Sequence, residues 1–295
     1  MAENSKISWT THTFNPWIGC AKVSQGCKFC YAATLNERYK WVTWGPGEAR
    51  RRTSVANWNK VRAWDRDAAK SGIRPRVFCA SLADWLDEEV PAAWMADLLC
   101  LIRDTPNLDW LLLSKRPENW RGRIESIKTK DESMAAWLLG WLIANDPPSN
   151  VWIGTTVEDQ ENADKRIPVL LDIPARVRFL SCEPLIGPVD LENERRSYLT
   201  DIGRPGAKPV QRGVDWVICG GESGAKARPM YIAWARSLRD QCAIAGVPFH
   251  FKQWGSNPDA SAYETPMVNA RMDAHNGGNL LYGTIHDAVP SAGSP

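Results

Sequence analysis

Short runs of apolar and β-branched residues recur along the chain at 76–81, 109–114, 150–156, 177–182, 215–219 and 248–252, and an earlier run at 13–18 supplies a first strand. Between them, apolar residues fall at three- and four-residue intervals over 31–39, 55–69, 91–103, 134–144, 161–171 and 231–245, as in Trp94, Leu98, Leu101 and Ile102, which is helical spacing. Strand and helix alternating about seven times predict a parallel sheet with crossover helices, either an incomplete (β/α) barrel or a doubly wound sheet. The strand ends favour the barrel. They carry Ser81 and Asp84, Lys115 and Arg116, Thr155 and Glu158, Glu183, Glu222 and Ser223, and Lys252 and Gln253, and the carboxyl ends of barrel strands converge on the face where active sites are built. Strand ends become polar on leaving any core, but all six later strands show it. The expected class is therefore α/β, an incomplete (β/α) barrel of about six or seven parallel strands. One domain is expected over 1–255, followed by a loosely structured extension over 256–295 with a short turn or hairpin at 277–283.

Three cysteines lie close together near the start, Cys20, Cys27 and Cys30, with no fourth until Cys79. A [4Fe–4S] cluster normally takes four thiolates, so three in one loop leave one iron open to an outside ligand. Zinc competes through Cys3His sites, but the nearest histidine, His12, precedes Cys20, and no paired partner motif follows. Ordinary reduced thiols are the third possibility. The remaining cysteines are spread singly through apolar runs, which argues against a disulfide framework.

Phe29, directly before the last cysteine, matches the C-x-aromatic-C ending of radical S-adenosylmethionine (SAM) enzymes, whose first cysteine gap is three residues where this chain has six. The segments 14–20, 23–27 and 30–32 resemble the opening of an uncharacterised phage and prophage family, the three-Cys-motif proteins. The resemblance continues at 78–84, 113–117, 152–158, 181–185 and 220–224, so that it covers residues 7 to about 255. It implies a radical-SAM-like fold, a [4Fe–4S] cluster on Cys20, Cys27 and Cys30, and SAM as cofactor with Phe29 beside the adenine. Gly220-Gly221-Glu222 is similar to the motif that holds the SAM amino group in that superfamily, although it follows about the sixth strand here rather than the second. Asp84 stands after the second strand. Ser81, Asp84, Thr155 and Glu222 are accordingly the candidate cofactor contacts, and Glu183, Lys115 and Lys252 the candidate catalytic groups. Such an enzyme needs an electron donor.

Charge adds a partner. Residues 38–76 hold eleven Lys or Arg against three acids, a net of +8 in a chain whose total is +2, interleaved with Tyr39, Trp41, Trp44, Trp58 and Trp64. Cations neutralise phosphates and aromatics stack on bases, so a nucleic acid is the expected partner. The alternative is a solvated helix face with core tryptophans. No apolar run reaches the roughly 18–20 residues of a membrane span, and eight cysteines fit a reducing compartment, so a cytoplasmic protein is expected. Two other functions stay open: a nucleic-acid-binding protein with a structural metal site, and a phage accessory protein acting through a protein partner.

Overall fold

The computed structural model describes residues 2–193, 196–199, 213–258 and 278–290, apart from the side chains of residues 193 and 196. Its main sheet is built from β1 (His12–Thr13), β2 (Arg76–Cys79), β3 (Asp109–Ser114), β4 (Val151–Thr156), β5 (Val177–Cys182), β6 (Trp216–Gly220) and β7 (Phe249–Gln253). These seven strands are parallel and lie in sequential order from β1 to β7. That is the strand set of an incomplete (β/α) barrel, as the alternation predicts. Strands β4 and β5 are buried at every position, the pattern of parallel strands covered on both faces.

The helices are α1 (Tyr31–Tyr39), α2 (Val55–Ser71), α3 (Ala92–Arg103), α4 (Trp120–Glu125), α5 (Glu132–Leu142), α6 (Gln160–Asp172) and α7 (Ile232–Ala245). Trp58, Val61, Trp64 and Ala68 form the buried stripe of α2, and Gly72 ends it in a left-handed conformation, its N–H donating to the Ala68 carbonyl. Asp131 caps α5 by accepting from the N–H groups of Ser133 and Met134. Helix α4 was not expected: six residues hold too few turns for a visible period.

The first strand is shorter than expected. Only His12–Thr13 joins the sheet, while Trp17–Ile18 pairs antiparallel with Arg51–Arg52. Pro16, without an N–H, stands where the chain leaves the ladder.

The chain divides into two compact units. One comprises Met1–Val23, Ala32–Gly154 and Ile173–Arg176; the other comprises Ser24–Tyr31, Thr155–Asp172 and Val177–Pro295. Aromatic packing dominates the first, where Phe14 meets Trp58 and Trp110 edge-on at 5.4 and 5.9 Å and His12 stacks on Trp64 at 4.3 Å. In the second, Trp216 packs between Phe179 and His250, and Phe251 against Trp254.

The short turn or hairpin expected at 277–283 falls at 280–285, within the second unit. Leu280–Leu281 and Thr284–Ile285 form a hairpin turning at Tyr282 and Gly283, both with positive φ. Asp287 bridges His250 on β7, and the indoles of Trp216 and Trp254 donate to the Ala288 and Leu280 carbonyls. The β7 edge is thereby covered. Residues 259–277 and 291–295 of that extension lie outside the described residues.

Gly221 sits where a Cβ would overlap the backbone carbonyl of Trp254. Gly221→Ala should therefore destabilise the protein by about 1–3 kcal/mol in urea unfolding, because backbone cannot give way as a side chain can. Gly122→Ala, at an exposed position of α4 with open space around its Cβ, should instead gain about 0.5–1 kcal/mol. Equal effects of the two substitutions would contradict this packing.

Candidate functional site

Each of the strand-end carboxylates Asp84, Glu158, Glu183 and Glu222 carries a cationic partner. In the first unit, Asp84 is buried beyond β2. Its Oδ1 accepts from the Leu86 N–H at 3.0 Å and the Ser114 hydroxyl at 2.7 Å, and its Oδ2 accepts from the Lys115 N–H at 2.9 Å and pairs with Arg116 Nη1 at 3.2 Å. Both oxygens are thus occupied, and what they hold in place is Arg116. The Arg116 guanidinium donates to the Ala21 carbonyl at 2.8 Å and to Cys20 Sγ at 3.6 Å. Burial, followed by the charge of Asp84, pushes the Cys20 thiol up to about 12 against the opposing pull of Arg116. Ser81 is half-buried and bonds Asn15, whose Nδ2 donates to its hydroxyl at 3.0 Å, while the Leu82 N–H donates to Asn15 Oδ1.

The second unit holds Cys27, Phe29 and Cys30. Buried Glu158, two residues beyond β4, accepts from the Ser24 hydroxyl at 2.5 Å and pairs with Arg166 of α6 at 2.6 Å. The Ser24 oxygen stands 3.8 Å from Cys27 Sγ. Gly26 lies so close to the Glu158 carboxylate that a Cβ would overlap it. From the other side, Glu222 binds Arg228 through both oxygens at 2.6 and 2.9 Å, and Arg228 donates to the Gln25 carbonyl at 3.0 Å with its guanidinium 5.5 Å from the Phe29 ring centre. The Gly-Gly-Glu glycines serve packing here. Gly220 makes room for the Glu183 side chain and Gly221 for the Trp254 carbonyl. Glu183 pairs with Lys252 Nζ at 2.8 Å, across β5, β6 and β7. Thr155 is fully buried on β4.

Within the first unit the structure therefore brings Asp84, Lys115 and Cys20 together around Arg116. Within the second it gathers Cys27 and Phe29 with Glu158 and Glu222, and separately Glu183 with Lys252. Arg166, Arg228, Asn15 and the role of Glu158 were missed in the sequence. Only Glu158 carried a signal, as a polar strand end. Arg228 follows no motif, and its reach to Gln25 spans 203 residues.

The cysteines fall into two classes by exposure. All eight are free; Cys20, Cys27 and Cys30 are part-exposed, as is Cys100 on α3, whereas Cys79, Cys182, Cys219 and Cys242 are buried, with thiols pushed up chiefly by burial. Cys20 belongs to the first unit, with the Arg116 guanidinium at its sulfur, and Cys27 and Cys30 to the second. Among the described residues, no three His, Cys, Asp or Glu side chains already form a group that could hold a single metal ion.

A family profile described as "Protein of unknown function (DUF5131)" matches residues 4–290. The chain belongs to this family. No curated protein matches it, and no solved structure does. Family membership agrees with the resemblance to an uncharacterised family and assigns no activity. No helix among the described residues is long and apolar enough to cross a membrane.

The basic segment separates into two parts. Arg50 is buried and pairs with Asp87 and Glu89, Arg52 pairs with Asp97, and Arg74 with Asp109. Trp58 and Trp64 are core. These groups are framework. Arg50→Ala should cost about 3–5 kcal/mol of stability, the usual result of leaving a buried carboxylate unpaired, while Arg51→Ala, at an exposed position, should leave the urea midpoint unchanged. A neutral Arg50→Ala would show that the pair is dispensable.

In the metal-free protein, alkylation of Cys20 should rise about tenfold per pH unit from pH 8 towards pH 11, following its thiolate fraction. Peptide mass spectrometry reads this directly. A plateau near pH 9 would contradict the thiol's burial.

Proposed function

We propose that the chain is a radical-SAM-type enzyme carrying a [4Fe–4S] cluster on Cys20, Cys27 and Cys30. One observation carries this reading: the three thiols that the motif groups are free and part-exposed, and Arg116 donates to the sulfur of one of them. The parallel α/β sheet with polar strand ends supports it as a scaffold. When bound, such a cluster supplies the electron that cleaves the sulfonium of SAM and so starts hydrogen abstraction from a substrate.

The chain's own groups divide the remaining work. Arg116, held by Asp84, stabilises Cys20 as a thiolate by charge and hydrogen bonding. Glu158 and Arg228 fix Ser24 and Gln25, and with them the backbone that presents Cys27. Phe29 offers a ring for the adenine. Ser81 and Lys115 are the cofactor contacts offered by the first unit, Thr155, fully buried, supports its strand from within, Asp84 and Glu222 act through their arginines, and the Glu183–Lys252 pair supplies a proton-handling couple for the substrate. A one-electron donor is required. The favoured substrate class is a nucleic acid, on the strength of the exposed cations and the part-exposed Tyr39 and Trp41 that segment 38–76 keeps outside the framework.

Anaerobic reconstitution with iron and sulfide should load about four irons per chain, with an absorption band that Cys27→Ala and Cys30→Ala abolish. Dithionite-reduced protein should then convert SAM to 5′-deoxyadenosine, slowly, without substrate. Stoichiometric zinc in place of iron, or full iron loading in the cysteine variants, would overturn the assignment.

A further inference from the structure

Once the ion-paired arginines and core tryptophans are set aside, a built surface remains at the C-terminal end of α1. Asn36 is buried and folds the chain back on itself: its Nδ2 donates to the Val42 carbonyl at 2.8 Å, its Oδ1 accepts from the Val42 N–H at 3.1 Å, and its own carbonyl accepts from the Lys40 N–H at 2.7 Å. Lys40 at the apex takes a left-handed conformation, φ 53°, uncommon for a residue with a side chain. The result is that Tyr39 and Trp41, on either side of the apex, stack with ring centres 5.0 Å apart and planes 10° from parallel. Tyr39 is 52% exposed, and the Arg38 guanidinium lies 5.4 Å from its ring centre.

Eleven of the sixteen tryptophans are buried; Trp41 is half-buried, and its pair with Tyr39 shares that part-exposure with Tyr231 and Trp234 of the second unit, but it is the pair set by a buried asparagine within the basic segment. Arg38, Lys40, Arg51, Lys60, Arg62 and Arg66 of the same unit are exposed and enter none of its ion pairs among the described residues. The nearby chain positions Glu37, Arg38, Lys40 and Thr43 are exposed and polar, two cations against one acid. A protein hot spot is surrounded by contacts that exclude water; aromatic rings among unpaired cations are the composition of a single-strand nucleic acid surface.

We propose that Tyr39 and Trp41 form a stacking platform for an unpaired base of a single-stranded polynucleotide, whose phosphates are taken by the exposed cations of the segment. This deepens the nucleic acid reading above and rests on it. A duplex, whose bases are already stacked, has no use for the platform.

The test is fluorescence anisotropy with oligothymidylate of about 12 nucleotides, as DNA and as its uridylate RNA counterpart, beside a duplex of equal length. The Tyr39→Ala/Trp41→Ala double variant should lose about 5- to 150-fold in single-strand affinity, the range for loss of one stacked base, with the salt slope retained. Trp41→Phe should keep most of the affinity. Arg38→Gln/Lys40→Gln should instead flatten the salt dependence, by about 0.7 per lost phosphate contact. Circular dichroism melts of all variants should match the parent. Equal single-strand affinity in parent and double variant, or equal losses on duplex and single strand, would overturn the platform while leaving nucleic acid as partner. Failure of the parent to bind any of the three probes would overturn both, and would turn the exposed pair into a protein-docking surface.

Discussion

A carboxylate buried at the end of a strand must meet a cation, and this constraint organises the polar chemistry of the chain. An unpaired buried charge costs several kcal/mol. Asp84 takes Arg116, Glu158 takes Arg166, Glu183 takes Lys252 and Glu222 takes Arg228, each within its own unit. Three of these pairs have a group left over, and in each case it goes to the cysteine loop: Arg116 to Cys20 and Ala21, Glu158 to Ser24, Arg228 to Gln25. The loop has little regular structure of its own beyond a single 3-10 turn at Gln25–Cys27. Its first part is thus fixed by Arg116 within the first unit, and its second by Glu158 and Arg228 within the second.

The sheet was legible in the sequence because parallel strands buried on both faces must be apolar without a break. The runs at 109–114 and 177–182 coincide with β3 and β5 to the residue. The edge was not legible. Phe14 to Ile18 reads as strand by composition, but the missing N–H of Pro16 ends the ladder there, and the pairing of Trp17–Ile18 with Arg51–Arg52 depends on residues more than thirty positions away. The cysteines and strand-end carboxylates could be picked out by residue type. Their cations could not, because an arginine's partner is decided by the fold: nothing local separates Arg228 from the many surface arginines.

The same limit applies to residues 38–76. Counted along the sequence, eleven cations form one basic block. In the fold, Arg50 is spent inside the first unit, where its side chain and that of Asp87 are 0% and 1% exposed, and its guanidinium also donates to the Gly45 and Glu48 carbonyls. Arg50 is thus what fixes the loop that follows the Tyr39–Trp41 turn. The apparent block thus holds one buried cation, Arg50, a few ion-paired ones at the surface, and six exposed cations outside the ion pairs.

This division bears on how a ligand would be read at the strand ends. An ammonium group arriving at Glu222 must compete with a guanidinium that already holds both oxygens and the Arg228 N–H bonded to one of them. Displacing it would also release Gln25 and loosen the backbone that presents Cys27. A carboxylate arriving at Arg228 faces no such conflict, since the guanidinium can share two anions without either losing its cation. The arrangement favours ligands whose negative groups approach the arginines over ligands whose positive groups approach the acids. Glu222 is accordingly committed to Arg228, and Asp84 to Arg116.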